Sequence, residues 1–327
     1  MRSLDQRNYE VVVVSPRNYF LFTPLLASTC VGTLEFRCIT EPIRAHAKEL
    51  IYYESRCDSI DFAAKTIECS RVKGGERVSL SYDKLVVACG AVTQTFGIPG
   101  VTENAFFLKD INDARRIRTR VIDCFERASQ PDTPAETQRH LLHFAVVGGG
   151  PTGVEFSAEL HDFITEDLAR LYPELMDKVN MSLFDVAPKI LTSFDSSLSD
   201  YATSRFKRKG IVVRTGSLVD RITPGETIHL KSGQSFHVGL IVWATGLAPN
   251  PLINSLRLPL DPGKRVLTDA FLRVLDGNGK PMEDVYALGD CATIKDGPRY
   301  PATAQVANQK AIYLSKCKKA YFLLTLI

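Results

Sequence analysis

Short apolar runs alternate along the chain with segments of helical spacing. The runs within Glu10–Val14 and His143–Val147 are continuous rather than alternating, which is typical of strands buried on both faces of a parallel sheet. Further apolar runs predict strands at Leu85–Ala88, Asn180–Phe184, Leu240–Ala244 and Val285–Leu288. Strands that alternate with helical segments predict an α/β fold with parallel strands.

The segments between these runs predict one departure from the parallel pattern. Two hairpin-like stretches, Ile51–Cys69 and Arg77–Ala88, indicate an antiparallel excursion from the sheet. Proline and polar residues in Ser129–Gln138 indicate a surface connection. Helices are expected to begin near Thr152 and near Ala302.

Composition narrows the class of protein. A chain of 327 residues with 45% hydrophobic and 24% charged residues is long enough for two globular domains and is not disordered. The net charge of +3 comes without a basic stripe, so nucleic-acid binding is not indicated. No apolar run approaches the length of a membrane span, and the first ten residues have no signal-peptide or transit-peptide character.

The eight cysteines are scattered without a CxxC or CxxxxC pair, which predicts a reducing compartment and no disulfide scaffold. The six histidines do not cluster at ligand spacing, so no structural metal site is expected.

A glycine motif carries the strongest chemical signal. Gly148, Gly150 and Gly153 form a GxGxxG pattern between an apolar strand and a helix. In dinucleotide-binding folds the first glycine permits a tight turn, the second lets the backbone approach a pyrophosphate, and the third allows close helix–strand packing. The start of the helix then offers unpaired N–H groups to the phosphates. This pattern predicts a dinucleotide site.

Asp185 is the candidate for selecting the nucleotide. It follows the strand Asn180–Phe184, where an acidic residue accepts hydrogen bonds from the adenosine ribose. The spacing from Gly153 exceeds the usual ~20 residues, and the surplus falls in an amphipathic stretch. Because a carboxylate there repels a 2′-phosphate, we expect NADH rather than NADPH.

Several motifs together resemble a known family. GGGPTGVE, with IVWATG at Ile241–Gly246 and VYALGD at Val285–Asp290, resembles the flavoproteins that bind two dinucleotides. SPRNYFLFTPLL at Ser15–Leu26 and TAQVANQ at Thr303–Gln309 narrow the resemblance to type II NADH:quinone oxidoreductases, the alternative, non-proton-pumping mitochondrial NADH dehydrogenases. The similarity runs from about Val11 to Lys316.

The resemblance implies a fold and an activity. The fold is α/β with two Rossmann-like dinucleotide-binding domains, as in FAD/NAD-linked reductases. NADH gives a hydride to FAD, and two electrons then pass to a quinone. Relatives work peripherally at the mitochondrial inner membrane, in contact with the membrane surface, and a homodimer is possible.

The resemblance also implies roles for individual residues. Asp290 and Gly289 hold FAD, Glu155 approaches the nicotinamide, and Lys109 lies near the flavin. Gln305 and Gln309 share one helix face and match the quinone site of the family. The residues that complete the cofactor sites are Ser15, Arg17, Gly246 and Ala304.

The domain boundaries follow from the same resemblance. The FAD-binding domain is expected at 1–112 and 259–316, the NADH-binding domain at 113–258, and an atypical tail at 317–327. The family's first βα unit, with its own glycine loop for FAD, is expected to be missing, with Met1–Tyr9 matching the end of its helix. We therefore expect truncation at both ends, a strand at Glu10–Val14 without its parallel neighbour, and better binding of NADH than of FAD.

Two alternatives remain open at this point. One is a non-catalytic NAD(H)-binding fragment. The other is a different reductase of the superfamily, such as a sulfide:quinone reductase or a protein similar to apoptosis-inducing factor. A sulfide:quinone reductase needs a redox-active cysteine pair, and Cys89 has no evident partner in the sequence.

Overall fold

The computed structural model describes residues 10–45 and 50–316, together with the backbone of 324–326. Contacts divide the chain into two compact units. The first lobe comprises Met1–Phe20, Glu41–Val92 and Leu247–Ile327, and the second lobe comprises Leu21–Thr40 and Thr93–Gly246. The expectations for Met1–Tyr9 and for most of the tail lie outside the described residues.

The α/β class is confirmed. In chain order the strands are β1 (Val11–Ser15), β2 (Tyr19–Leu21), β3 (Thr40–Pro42), β4 (Ile51–Asp61), β5 (Thr66–Arg71), β6 (Arg77–Ser81), β7 (Lys84–Val87), β8 (Ala91–Thr93), β9 (Phe106–Phe107), β10 (His143–Val147), β11 (Asn180–Phe184), β12 (Ile211–Arg214), β13 (Val219–Thr223), β14 (Thr227–Leu230), β15 (Ser235–His237), β16 (Leu240–Trp243), β17 (Leu247–Pro249), β18 (Val266–Thr268), β19 (Arg273–Leu275), β20 (Pro281–Ala287), β21 (Ala292–Ile294) and β22 (Leu324–Leu326). The α-helices are α1 (Leu26–Val31), α2 (Val101–Asn104), α3 (Ile111–Ala128), α4 (Ala135–Leu141), α5 (Pro151–Asp162), α6 (Ala169–Leu171), α7 (Ser196–Arg208), α8 (Pro251–Ser255) and α9 (Ala304–Lys316). Short 3₁₀ segments lie at Thr23–Leu25, Phe36–Ile39, Ile43–Ala45, Pro173–Lys178 and Gly289–Cys291, and a π-helical segment at Phe163–Leu168 extends α5.

The first lobe is built on a ten-stranded sheet with the order β21-β18-β19-β20-β7-β22-β1-β4-β5-β6. Its centre is parallel, and β4, β5 and β6 form the antiparallel excursion that the hairpin-like stretches predicted. The strands expected at Glu10–Val14, Leu85–Ala88 and Val285–Leu288 are β1, β7 and the end of β20, so these predictions are confirmed.

The expectation that β1 lacks a parallel neighbour is wrong. β22 pairs in parallel with β1 on one side, where Val12 lies opposite Thr325, and with β7 on the other, where Leu85 lies opposite Thr325. A segment of the tail therefore occupies the position between β1 and β7. Because both edges of that segment are paired, the apolar strand β1 is not left as an open edge.

The second lobe contains a five-stranded parallel sheet with the order β12-β11-β10-β16-β9. The strands predicted at His143–Val147, Asn180–Phe184 and Leu240–Ala244 are present as β10, β11 and β16. A separate antiparallel sheet, β13-β14-β15, packs its apolar side chains on Phe184 and Trp243 in one core.

Two features of the second lobe differ from expectation. The surface connection expected at Ser129–Gln138 is helical from Ala135, because α4 begins directly after Pro134, a residue suited to helix starts. The longer of the two stretches that form the lobe runs from Thr93 to Gly246, whereas the resemblance placed the boundaries of the NADH-binding domain at 113 and 258.

Contacts explain why the boundaries of the lobes differ. Strand β9 pairs with β16, which ties the residues before 113 to the second lobe. The hydroxyl of Ser28 in α1 donates a 2.9 Å hydrogen bond to the carboxylate of Glu159 in α5. In contrast, Leu252 and Ile253 of α8 pack in the core of the first lobe.

A buried histidine makes the stability of the second lobe depend on pH. His143 is 8% exposed at the start of β10, and its Nε2 atom lies 2.9 Å from the hydroxyl of Ser182. Burial lowers the pKa of His143 from 6.5 to about 4. The unfolded chain therefore takes up a proton at a higher pH than the folded chain does, so the free energy of unfolding falls as the pH drops from 6.5 towards 4.

We expect His143→Gln to remove most of this dependence, which is worth up to about 3 kcal/mol at full protonation. Urea unfolding of the wild type and the variant at several pH values in that window measures the effect. His140→Gln is the control, at a half-exposed histidine whose charge is the smallest of the causes that act on the pKa of His143. Equal slopes for the wild type and His143→Gln contradict the assignment.

Candidate functional site

The GxGxxG turn has the geometry that the sequence predicts. Gly148 has φ +115°, and a Cβ atom there would lie 2.4 Å from the carbonyl oxygen of Ala244. A Cβ on Gly153 would lie 1.9 Å from the carbonyl oxygen of Gly148. Gly150 is different, because no atom lies within 4 Å of the place that its Cβ would occupy. At Gly148 and Gly153 the surrounding backbone thus leaves no room for a side chain. At Gly150, at the start of α5, the backbone faces open space.

Asp185 lies beside this turn, at the carboxyl end of β11. Its carboxylate accepts hydrogen bonds from the backbone N–H of Gly149 and, at 2.6 Å, from that of Ala187. Two backbone donors fix the orientation of the carboxylate, and an ionised carboxylate has about four acceptor positions, so it can also accept ribose hydroxyls.

Sequence reasoning missed the part played by Gly149. A Cβ on this residue would lie 2.8 Å from the carboxylate of Asp185 and 2.7 Å from the side chain of Ile190. The run of three consecutive glycines was the available signal. A side chain at the middle position would displace Asp185 from the turn.

Gly246 follows the neighbouring strand β16 and lies at the same edge of the sheet. Its carbonyl oxygen accepts a 2.8 Å hydrogen bond from the N–H of Gln94, and nothing lies within 4 Å of a Cβ on Gly246. The indole of Trp243, 1% exposed, donates to the carbonyl of Gln94. These hydrogen bonds fix the backbone at residues 94 and 243–246. The backbone at Gly246, beside the glycine turn, still faces open space.

Glu155 lies on the exposed side of α5, one turn from Gly150. Partial burial, followed by the negative charge of Glu159 one turn further along the helix, raises the pKa of Glu155. Glu159 is held by Ser28 at 2.9 Å and by Thr33 at 3.3 Å, so its charge stays beside Glu155. A carboxyl group with a raised pKa holds a proton more readily than an ordinary glutamate does.

Lys109 precedes α3 and is held by a capping arrangement. Its backbone N–H donates a 3.0 Å hydrogen bond to the carboxylate of Asp113, while Asp110 caps the helix by accepting from Asn112 at 2.9 Å. The backbone that carries Lys109 is therefore fixed.

The first lobe contains a shallow, open pocket next to the 3₁₀ segment Gly289–Cys291 and the start of α9. Asp290, Thr293 and Thr303 line it with polar groups, and Arg265 and Lys310 add two cations. Gly289 has φ +79°, a conformation that favours glycine. Sequence reasoning missed Arg265 and Lys310, because nothing local in the sequence places them beside Asp290.

Other expected residues of the first lobe lie on its surface. Gln305 and Gln309 are exposed on α9, one turn apart on the same helix face. Ser15 ends β1, where its hydroxyl donates to the carbonyl of Arg17 at 3.0 Å and accepts from the N–H of Arg17 at 3.2 Å. The side chain of Ser15 is thus engaged in a local turn.

Some of the expected site residues form one group in each lobe, whereas Lys109, Ser15 and Arg17 are not brought to either group. The second lobe brings Asp185 and Gly246 to the glycine turn, and Glu155 follows on α5. The first lobe brings Gly289 and Asp290 to the start of α9, next to Ala304. Across residues 10–45 and 50–316, no cluster of His, Cys, Asp and Glu side chains is arranged to bind a metal ion. Over the same ranges, no helix combines the length and the apolar character that crossing a bilayer requires.

Comparison with known proteins shows the family of this chain. The sequence pattern of the pyridine nucleotide-disulphide oxidoreductases matches residues 1–311. The chain belongs to this family. Members of the family share the α/β architecture of two dinucleotide-binding domains, so the fold class expected from the sequence is confirmed.

Relatives within the family are alternative NADH dehydrogenases. The chain is 45% identical over 307 residues to the external alternative NAD(P)H-ubiquinone oxidoreductase B2, mitochondrial, of Arabidopsis thaliana, covering 90% of this chain and 52% of the relative. It is 42% identical over 320 residues to a probable NADH dehydrogenase of Dictyostelium discoideum, covering 97% of this chain and 69% of the relative. The resemblance to type II enzymes is therefore confirmed.

A solved structure supports the same relationship. NDH2 from Plasmodium falciparum in complex with NADH superposes with a TM-score of 0.84 at 35% identity, covering 90% of this chain and 61% of that protein. The chain spans about half the length of the plant relative that it matches.

Proposed function

We propose that the chain carries the catalytic core of an FAD-dependent NADH:quinone oxidoreductase that does not pump protons. The observation that carries this proposal is the glycine turn, which is closed at Gly148 and Gly153 and open at Gly150. The names of the relatives support it, since they act on NAD(P)H and ubiquinone or are called NADH dehydrogenases.

NADH fits the second lobe. Its pyrophosphate would take N–H groups at the start of α5, where the backbone of Gly150 is unobstructed. The carboxylate of Asp185 would accept the ribose hydroxyls and repel a 2′-phosphate. Glu155 would orient the nicotinamide and hold a proton, because its pKa is raised.

FAD fits the first lobe in part. Asp290 presents a carboxylate to the pocket for ribitol hydroxyls, Gly289 leaves the backbone approachable, and the positive end of α9 favours a negatively charged ring edge. FAD, when bound, accepts the hydride and passes electrons on singly or in pairs. The residues Ser15 and Arg17 would lie near its adenosine part, and Lys109 would offset negative charge on the reduced ring.

The quinone would meet α9. The amide of Gln305 can donate to a quinone carbonyl, and Gln309 extends the same face by one turn. We place the enzyme peripherally at the mitochondrial inner membrane, with contact to the membrane surface and as a possible homodimer. The relatives named mitochondrial support this placement.

The decisive experiment uses the purified chain supplied with excess FAD. Anaerobic NADH is expected to bleach the flavin absorbance, and a short-chain ubiquinone is expected to restore it. Binding of NADH without bleaching at saturating FAD would instead support the non-catalytic NAD(H)-binding alternative. That alternative stays open because the sequence contains a single GxGxxG pattern, which serves one dinucleotide.

We expect Asp185 to set the preference for NADH. In Asp185→Ser combined with Val186→Arg, the repulsion of the 2′-phosphate is lost and a cation is supplied at an exposed position. The ratio of the NADPH and NADH dissociation constants should fall roughly 10- to 100-fold, as for the loss of one or two charge-assisted hydrogen bonds. Fluorescence titration with both nucleotides measures the ratio, and Val186→Arg alone is the control. An unchanged ratio would place the ribose elsewhere.

We expect Gln305 to affect the reaction with quinone and not the reduction of the flavin by NADH. Gln305→Ala should raise the KM for quinone roughly 3- to 10-fold, the effect of one neutral hydrogen bond, while stopped-flow reduction of the flavin by NADH keeps its rate. Gln234→Ala, the same change at an exposed glutamine of the second lobe, should leave both quantities unchanged. Slower flavin reduction with an unchanged quinone KM would show that the assigned role is wrong.

A further inference from the structure

The core of the first lobe contains four cysteines that the sequence keeps far apart. Cys57, Cys69 and Cys291 are buried in one apolar cluster, and Cys89 packs against it while partly exposed. They form two pairs. Cys57 and Cys69 lie opposite each other on β4 and β5, and Cys89 and Cys291 follow the ends of β7 and β20.

Strand pairing brings Cys89 and Cys291 together. In the parallel pair β7–β20, Val87 lies opposite Ala287, and the N–H of Leu288 donates to the carbonyl of Val87 at 3.1 Å. The thiol of Cys291 turns back towards this junction, 3.2 Å from the carbonyl of Leu288 and 3.5 Å from that of Val87. The Cys291 thiol thus lies at the strand end that carries Cys89, where interaction with the Cys89 thiol affects the pKa of both groups.

The backbone around Cys89 is fixed. The side-chain amide of Asn250 donates a 3.1 Å hydrogen bond to the carbonyl of Cys89, and the next residue, Gly90, has φ +67°. Cys89 is therefore held in place as the partly exposed member of the pair, and Cys291 is the buried member.

The charges around the pair favour a thiolate. The hydrogen bond with Cys89 lowers the pKa of the Cys291 thiol in spite of its burial, and backbone N–H groups at Gly90 and Cys89 act in the same direction. The same bond raises the pKa of Cys89, so the pair releases one proton readily and the second with difficulty. Lys310 lies nearby: burial, followed by the charge of Arg265, lowers the pKa of Lys310, and the negative charge of Cys291 partly opposes this.

We propose that Cys89 and Cys291 form a reversible, peroxide-oxidisable dithiol site. Hydrogen peroxide is the oxidant. The Cys291 thiolate, which peroxide reaches past the partly exposed Cys89, attacks one peroxide oxygen, giving a Cys291 sulfenic acid and hydroxide. The second sulfur then displaces the sulfenic oxygen as hydroxide, and the S–S bond forms. The thiol protons convert both hydroxides to water, so that two thiols and one peroxide give one disulfide and two waters.

The pair Cys57–Cys69 is a matched internal control. It also shares a thiol–thiol hydrogen bond, and that bond lowers the pKa of Cys69. Both of its members are buried, at 7% and 1% exposure, whereas Cys89 is partly exposed. Since oxidation requires access as well as thiolate character, peroxide should oxidise Cys89–Cys291 first.

The experiment is peptide mapping of the folded chain after treatment with hydrogen peroxide. Free thiols are alkylated, the protein is digested with trypsin without reduction, and disulfide-linked peptides are identified by mass. Lysines and arginines place Cys57, Cys69, Cys89 and Cys291 in four different tryptic peptides, so every pairing is distinguishable. The expected product joins the Cys89 and Cys291 peptides, appears before any Cys57–Cys69 link, and disappears after treatment with dithiothreitol.

Variants separate the proposal from nonspecific oxidation. Cys89→Ser should abolish the link and leave Cys291 alkylatable at peroxide concentrations that oxidise the wild-type pair, while Cys57→Ser should keep the link. If Cys89→Ser does not fold, the wild-type time course decides, because the two thiols should be lost together. The proposal is overturned if the Cys89–Cys291 link is absent once the exposed Cys38 is fully oxidised, or if Cys57–Cys69 forms first.

Discussion

Gly153→Ala is expected to abolish tight NADH binding and to destabilise the second lobe. The added Cβ would lie 1.9 Å from the carbonyl oxygen of Gly148, so that either α5 or the glycine turn must move. The position of the Cβ is fixed by the backbone of α5 and the carbonyl belongs to the backbone of the turn, so neither can give way as a flexible side chain can. We expect a loss of about 3 kcal/mol in the free energy of unfolding, at the upper end for overpacking. The displaced helix start should weaken NADH binding roughly 100-fold, as for two lost charge-assisted hydrogen bonds.

Gly150→Ala is the matched control. Its Cβ meets no protein atom within 4 Å, and its φ of −75° suits alanine, so the free energy of unfolding should change by less than about 0.5 kcal/mol. NADH binding should still fall, because the methyl group enters the open space over the turn. Urea unfolding and fluorescence titration of both variants separate the two effects. Unchanged NADH affinity in Gly150→Ala would mean that the pyrophosphate does not lie at this turn.

Thr325→Pro is expected to disrupt the sheet of the first lobe. Thr325 is the central residue of β22, paired with Val12 on one side and Leu85 on the other. Proline has no N–H to donate and is tolerated in sheets essentially only at edges. We expect a loss of about 3 kcal/mol in the free energy of unfolding, from the missing bond and an unsatisfied partner, together with aggregation through the freed edges of β1 and β7.

The control for this change is Thr325→Val, which keeps the backbone N–H and the β-branched side chain that suits strands. Thermal unfolding and size-exclusion chromatography compare the two variants with the wild type. If Thr325→Pro is as stable and as monodisperse as Thr325→Val, β22 does not hold β1 and β7 together.

Features specified by neighbouring residues could be read from the sequence. Strands β10 and β11 begin and end at the predicted residues, because continuous apolar runs with turn residues on both sides specify buried strands. The glycine turn has its expected backbone for the same reason, since the constraints on Gly148 and Gly153 arise within a few residues and one neighbouring strand.

Helix α3 carried no prediction, although a signal was present. Asp110 and Asp113 form a capping box at its start, three residues apart, and buried residues from Ile111 to Ala128 form one face. An acidic pair at this spacing is a weaker pattern than Ser/Thr with Glu, which explains how it was overlooked. Helix α4 was missed for a different reason. Its sequence is short and polar, so it has no apolar face that would indicate a helix.

Features that depend on distant residues could not be predicted. The pairing of β22 with β1 joins segments from opposite parts of the sequence, and no local pattern specifies which strand takes that position. Cys89 and Cys291 meet only because β7 and β20 are neighbours, and Arg265 and Lys310 approach Asp290 in the same way. The pocket of the first lobe thus depends on the topology of the sheet, whereas the conformation of the glycine turn in the second lobe depends largely on nearby residues.

The division of the chain into lobes also bears on the order in which they fold. The second lobe takes all five strands of its parallel sheet from the single stretch Thr93–Gly246, whereas the first lobe combines three separate stretches. Folding slows as the sequence separation between contacting residues increases, because the loops between them must close first. During synthesis the glycine turn can therefore form before Leu247 leaves the ribosome. The ten-stranded sheet must wait for β18 to β22, and until then β7 and the side of β1 that faces β22 lack their partners in its centre.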